Sequence, residues 1–557
     1  MTTIGAIDAP AKPRAWRDRL VESLPFIAIF LITFVVNIAF SLRQGRLASV
    51  PIHDDVAYLA DGLSRVIFVK GDGLWSAIGS LIVDPPHAPV TTLTAMFGFW
   101  ALGPAPISAY IANGWVLALY VAVLAVLSRP LGGLLARTLF VAVLVFVPVA
   151  HAMVTEFRPD MAGGLLFALA IALMCGTDFR NVTIKRRIHL VLLALAATIT
   201  KPSAVILTIP ALGVAFAVAM VAQGLFTGRA KVRLLLSGLA TVALYALALV
   251  PFAVAFGAET IRYIRDVLFT NSDIWATPGD RWFHWTYHFS GPGGTEALGV
   301  FGVLALVIVI VDLLMFVRFP SYRRPGVLPL YLTIAVVYCA MAVSTEKTVF
   351  QGSYFYLPLL FAAASAFVRI VVQARLRWSV RAPIGSDVVL ASGLVLAILF
   401  LPLGGAYTVR ATDGPEAVSL LPQISDAIFA LNKNEWIDSP SCAERTMRIT
   451  AINYDPITAG AIQMALAEGG LNVASDYVFF PRSLQDALKT IDDVDLVVMA
   501  DPAAKPTNQW LLLAAMAPDI YRYLSEKPGV RKIQVGVYRN HPFWLFVKPH
   551  CEPVTPP

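Results

Sequence analysis

Apolar residues along this chain gather into blocks of about 17–25, long enough to cross a bilayer as helices. Short polar stretches separate them, with basic clusters at 129–137, 180–187, 229–233, 318–324 and 375–381. Cytoplasmic connections of membrane proteins carry an excess of Lys and Arg. Placing every cluster inside predicts spans at 24–43, 107–128, 134–150, 160–177, 187–200, 203–224, 234–256, 297–317, 326–343, 354–372 and 386–405, about eleven in all. The amino-terminal tail, 1–23, is then cytoplasmic and the chain after 405 lies outside. The first block follows Arg14, Arg17 and Arg19, exceeds a signal-peptide core and precedes no small-residue cleavage site. It reads as an uncleaved span.

Two pieces depart from this pattern. The apolar run 88–102 is short and follows Pro85-Pro86; it predicts a helix lying on the outer membrane surface. The span at 187–200 is also short, and Pro202 breaks it from the next. Broken helices at membrane depth usually line a cavity. The outer face then carries a first loop at 44–106, a short turn at 151–160, a long loop at 257–296 and a connection at 344–353. Beyond 405 the pattern changes. Short apolar runs at 495–500 and 532–538 alternate with helical patterns at 456–469 and 508–526. That predicts an extracytoplasmic α/β domain over 406–557.

Composition agrees with the threading. Hydrophobic residues make up 57% and charged residues 14%, against about 45–50% and about 25% in soluble domains. Mean hydropathy is +0.70. A soluble, fibrous or disordered protein is excluded. The formal net charge of +7 is no nucleic-acid signature, because the cations sit between apolar blocks. Of the four cysteines, Cys175 and Cys339 fall within spans. Cys442 and Cys551 share the outer domain, where an oxidising compartment permits a disulfide and two free thiols are the alternative.

Candidate chemistry collects on the outer face. Asp54 and Asp55 stand just after the first span, ahead of an apolar-periodic stretch at 56–69. They either cap that helix or must be hydrated, bind a cation or shift their pKa. The loop ends with Asp84-Pro85-Pro86-His87, which returns a third carboxylate to the membrane surface. Arg158-Pro159-Asp160 opens a later span; Arg158 suits an anion, and a snorkelling Arg with Asp160 as cap is the other reading. Lys201, outside and beside the Pro202 break, suits a phosphate as well as it suits interfacial snorkelling. The loop at 257–296 carries Arg262, Arg265, Trp275, Arg281, Trp282, His284, Trp285, Tyr287 and His288. Its aromatics read chiefly as an interfacial belt. Carboxylates and cations on one face suit a reaction in which a lipid-linked phosphate leaves and an acceptor hydroxyl is deprotonated by a carboxylate.

In this order the motifs resemble the membrane-embedded GT-C glycosyltransferases. The nearest branch resembles the protein O-mannosyltransferases and the lipid A aminoarabinose transferase. The resemblance covers about 20–375 and rests on five features. They are Asp54, Asp55 and then Tyr58; Pro85-Pro86; Arg158 and Asp160; Thr200-Lys201; and Lys347 followed by Tyr354 to Pro358. Three positions depart from it: His87 follows the Pro-Pro pair, Gln351 to Ser353 stand where an arginine is common, and Tyr110 and Asn113 open the second span.

The resemblance implies a mainly α polytopic bundle in the bacterial inner membrane. It also implies transfer of a sugar from a polyprenyl-phosphate donor to an envelope lipid, glycan or protein. Inversion would occur at the anomeric carbon with an Asp general base. Asp54 inherits that role, with Asp55 beside it. Lys201, Arg158 and Lys347 would contact the donor phosphate. Tyr58, Asp84, His87, Asp160 and Tyr354 complete the candidate site. The one cofactor left open is a divalent cation, Mg or Mn, held by Asp54 and Asp84. A lipid-linked-sugar transporter or a non-catalytic envelope-assembly protein would share the threading. A transporter would show an inverted repeat and charges near the midplane, and the sequence shows no convincing repeat.

Overall fold

The computed structural model describes residues 16–548 apart from 52, 69–72, 228–230, 267–269, 271, 379–389, 394–414, 434–445, 453–456, 479–480, 482 and 505–511. Helix α1 (Trp16–Gln44) leads into an outer segment of α2 (His53–Phe68), α3 (Leu74–Val83) and α4 (Pro89–Leu102). The bundle continues with α5 (Pro106–Asn113), α6 (Trp115–Leu127), α7 (Leu134–Val145), α8 (Pro148–Thr155), α9 (Pro159–Cys175) and α10 (Ile184–Ile199). Then come α11 (Val205–Thr227), α12 (Lys231–Arg265), the short helices α13 (Ser272–Trp275), α14 (Arg281–Thr286) and α15 (Pro292–Leu298), and finally α16 (Val300–Arg318), α17 (Val327–Val343) and α18 (Ser353–Trp378).

Every apolar segment expected to span, up to 354–372, is helical; 386–405 falls almost wholly outside the described residues. Among the described residues, six helical stretches are long and apolar enough to cross a membrane, seven if α7 and α8 form one span bent by 70°. The chain is a multi-pass membrane protein. Proline fixes several starts, standing first in α4, α5, α8 and α9, where its missing N–H costs nothing. Helix α9 runs through the middle and is buried on nearly every face. Helix α4 has only 14 residues and packs on α2 and α5.

Helix α9 packs closely on α18. A Cβ at Gly164 would lie 2.7 Å from the backbone of Ser353, and one at Gly163 would lie 3.0 Å from Cζ of Tyr354 and closer still to its hydroxyl. Tyr354 is 2% exposed and its hydroxyl makes no hydrogen bond among the described residues, so the ring has nowhere to go. Gly163→Ala should therefore destabilise by about 1–3 kcal/mol from overpacking, more than the ~1 kcal/mol alanine returns in helix propensity. Tyr354→Phe removes the offending atom and no hydrogen bond. In that background the Gly163→Ala loss should shrink to near zero, as read by thermal unfolding of the purified protein.

At the opposite end of α16, Asp312 is fully buried and paired with Arg369 through Nη2–Oδ2 and Nε–Oδ1 contacts of 2.7 and 3.2 Å. Tyr331 donates to it at 2.7 Å and Tyr322 also donates to it. Every lone pair that faces a cation or hydroxyl is used. Asp312, the main acidic residue within a span, thus ties α16, α17 and α18 together.

The carboxyl-terminal region is an α/β unit. Strands β1 (Arg448–Ala451), β2 (Ala474–Asp476), β3 (Leu496–Ala500), β4 (Arg531–Tyr538) and β5 (His541–Val547) form one sheet in the order β2-β1-β3-β5-β4. The pairs β1–β2 and β1–β3 are parallel; β5 is antiparallel to both β3 and β4. Arg539 and Asn540 both have positive φ, closing the β4–β5 hairpin with the twist that tight turns favour. The helix Ala459–Glu468 lies against α2. Gly460 permits the approach: a Cβ there would be 2.8 Å from Ala60 and 3.0 Å from Val56. Gln463 donates to Ser64 at 2.8 Å. Val56, Leu59 and Leu63 of α2 thereby join the same apolar core as the sheet. The outer segment and the α/β unit bury a common core, a coupling the boundary at 405 does not suggest.

Candidate active site

The strip between α8 and α9 positions the chemistry. A residue before proline is driven to extended backbone, and Arg158 sits there with φ −132° and ψ 150°. Pro159 starts α9, so Asp160 falls in its first turn, where the helix dipole favours a carboxylate. Asp160 is 2% exposed and its Oδ1 accepts a 2.8 Å bond from Lys201 Nζ. Lys201 reaches it because Pro202 stops α10 from running on into α11. Ser353 Oγ donates to the Asp160 carbonyl at 2.7 Å, tying the start of α18 to the same point.

Asp55 approaches from the other side. In the first turn of α2 it is 2% exposed. Its Oδ2 accepts from the Tyr110 hydroxyl at 3.0 Å and from the Phe157 N–H at 3.4 Å. Arg158 Nε lies 3.1 Å from Oδ1 and Arg46 Nε 3.7 Å from Oδ2. Glu156 is the third buried carboxylate, with Oε2 3.9 Å from Arg158 Nε. That oxygen accepts no hydrogen bond among the described residues. Burial pushes the Glu156 carboxyl up to about 7, against the lowering pull of Arg158. Asn113 Nδ2 holds the Met153 and Glu156 carbonyls at 3.0 and 3.4 Å.

Phe350 joins the two halves. The Arg158 guanidinium carbon is 4.1 Å from its ring centroid and Lys201 Nζ is 5.7 Å away. Two cations, each tied to a buried carboxylate, thus meet one aromatic ring. An Arg and a Lys placed this way in a low-dielectric setting suit an anionic group.

Of the residues expected in the site, Asp55, Arg158, Asp160 and Lys201 come together here, and Tyr354 packs one turn along α9 against Gly163. Asp54 begins α2 beside Asp55, but its side chain lies outside the described residues. Cys442 and Cys551 also lie outside them.

The other candidates make different contacts. Asp84 does not return to the acidic pair. It is 90% exposed beside Arg65, whose Nη2 is 3.8 Å from its carboxylate and donates to its carbonyl at 2.7 Å. Arg65 stands ten residues beyond Asp55 on α2, about 15 Å along a helix. Asp84 therefore does not fit the ligand set expected of a cation held with Asp54, and no group of three His, Cys, Asp or Glu side chains with that spacing occurs among the described residues. Tyr58 and His87 form an aromatic stack, with centroids 6.1 Å apart and His87 4.4 Å from Tyr263 of α12; they brace the outer segment against the bundle. Lys347 turns inward instead, donating to the carbonyls of Met341 and Ala342 (3.2 Å for the latter) at the end of α17. Burial lowers its ammonium to about 8.

The sequence reading missed Arg46, Glu156 and Phe350. Arg46 carried a usable signal, a cation just outside the first span and against the positive-inside bias, as Lys201 did. Glu156 and Phe350 carried none, since an acid or an aromatic in an outer connection is ordinary.

No family model matches the chain, and no curated protein matches it either. Among solved structures it is similar to ArnT from Cupriavidus metallidurans in the apo state, with TM-score 0.53 and 13% identity over 95% of this chain and 98% of the other. It is likewise similar to the same protein bound to undecaprenyl phosphate, with TM-score 0.52 and 14% identity over the same shares. The chain thus shares the fold of ArnT, a membrane helical bundle carrying an α/β unit.

Proposed function

We propose that this protein is a membrane glycosyltransferase. It takes a sugar from a polyprenyl-phosphate donor and gives it to an envelope lipid, glycan or protein at the outer face of the inner membrane. The observation that carries the reading is the pair Arg158 and Lys201 beside the Phe350 ring, each backed by a buried carboxylate. ArnT, which shares the fold, is a protein whose structure was solved bound to undecaprenyl phosphate, and that supports a lipid phosphate as ligand.

In the reaction, an acceptor hydroxyl attacks the anomeric carbon as the sugar–phosphate C–O bond breaks, with inversion. The Asp54–Asp55 pair supplies the base that takes the hydroxyl proton. Arg158 takes the charge that gathers on the departing phosphate, and Lys201 holds the phosphate alike in ground and transition states. Neither cation has to be moved into place, because Asp55 and Asp160 already hold them.

The test is mass spectrometry of envelope lipids and glycans in a deletion strain and in the same strain carrying wild-type protein or Asp54→Asn at equal membrane abundance. One sugar-sized mass lost on deletion should return with wild type alone. Full rescue by Asp54→Asn would remove the base from that residue, and an unchanged envelope in the deletion strain would count against transfer itself.

A further inference from the structure

We propose that Glu156 takes up a proton when a phosphate monoester occupies the Arg158–Lys201 site. The inference rests on the reading of those two cations as the phosphate site and adds a residue to it.

The charge count of the cluster motivates it. Three cations, Arg46, Arg158 and Lys201, face three carboxylates, Asp55, Asp160 and Glu156. The groups that act on Glu156 are Arg46 from the turn after α1, Asp55 from α2, Tyr110 from α5, and Arg158 and Asp160 from its own connection and α9. Before a ligand enters, the charges of these six described side chains balance. An added phosphate dianion unbalances it in a buried setting, where uncompensated charge is expensive.

The three acids are not equally able to absorb the difference. Asp55 accepts from Tyr110 and Phe157, and Asp160 accepts from Lys201. Glu156 Oε2 accepts nothing among the described residues and meets Arg158 only at 3.9 Å. Its anion is the least supported of the three, and burial already holds its carboxyl at about 7. A new negative charge on the far side of Arg158 raises it further.

The transfer reaction creates this need. A polyprenyl-phosphate sugar is a diester with one negative charge; the polyprenyl phosphate left behind is a monoester with a second pKa near ~6, and so carries close to two. The acceptor O–H breaks, the new glycosidic C–O bond forms, and the sugar–phosphate C–O bond breaks with its electron pair on phosphate. The proton passes from the Asp base to Glu156, so the summed charge of site and ligand stays constant and the base is restored. It leaves again with the product.

The probe is undecaprenyl phosphate alone, bound to the full-length protein in nanodiscs at pH 8. Calorimetry in two buffers of different ionisation enthalpy reads the protons taken up. Wild type should take up roughly 0.5–1 proton per ligand, with affinity falling up to about tenfold per pH unit between 7 and 9. Glu156→Gln should bind with almost no uptake and a flat profile, and Glu156→Asp should restore uptake. Equal uptake in wild type and a folded Glu156→Gln overturns the proposal, as does wild-type binding with no uptake. If Glu156→Gln fails to fold, the wild-type and Glu156→Asp uptake still decide. Absence of wild-type binding, or affinity unchanged in Lys201→Ala, sinks the phosphate-site reading itself; binding that needs Lys201 but moves no proton sinks only the role of Glu156.

Discussion

Asp55→Asn is expected to lower the transfer rate by at least about 10²-fold, the range lost when a positioned acid–base group or a preorganised charge is removed. The amide keeps the shape and one carbonyl oxygen, so the bonds from Tyr110 and Phe157 can persist. What disappears is the charge that holds Arg158 at 3.1 Å and Arg46 at 3.7 Å. Both arginines are buried, and Glu156 is left as their nearest carboxylate. Stripping one partner from a buried ion pair costs about 3–5 kcal/mol; retained hydrogen bonds and the shift of Arg158 towards Glu156 place the expected loss at the lower end. The measurement pairs turnover in proteoliposomes with thermal unfolding of the same preparation. A full-rate, destabilised variant would assign Asp55 to structure alone. A slow variant with its lost stability restored by lower temperature would keep it in the reaction.

Most of the bundle is legible in the hydropathy pattern because membrane helices must be apolar along their length. The α/β unit is legible for a similar reason: β3 is buried at every position, so 495–500 reads as a continuous apolar run. The site is legible where a charge sits against expectation, as at Asp55, Arg158 and Lys201. It is opaque where spacing through the fold decides. Asp84 follows a Pro-Pro boundary and looks as though it returns to the acidic pair, but α2 and α3 leave it at the other end of α2. Lys347 looks like one more outer cation, yet the carbonyls at the end of α17 are within its reach and claim it. The shared core of α2 and the sheet depends on Gly460 meeting Ala60 across some four hundred residues, which no local pattern records.

Lys201→Ala should produce the second large effect, and its form differs from that of Asp55→Asn. Lys201 makes a 2.8 Å contact to Asp160 and lies near the Phe350 ring that Arg158 also meets. If it holds donor phosphate in both ground and transition states, its loss weakens binding uniformly, so the donor KM rises while kcat stays within a fewfold. A charge-assisted bond to phosphate is worth about 1.5–3 kcal/mol, which corresponds to a KM increase of about 10–150-fold. The same substitution strands Asp160, buried at the start of α9, and a lone buried carboxylate both destabilises the fold and repels an incoming anion. Asp160→Asn in the Lys201→Ala background separates the two effects. It should recover most of the lost thermal stability and only the repulsive part of the KM change. Complete recovery of KM in the double variant would show that Lys201 acts solely by neutralising Asp160, and a donor KM unchanged in Lys201→Ala would take the lysine out of the site.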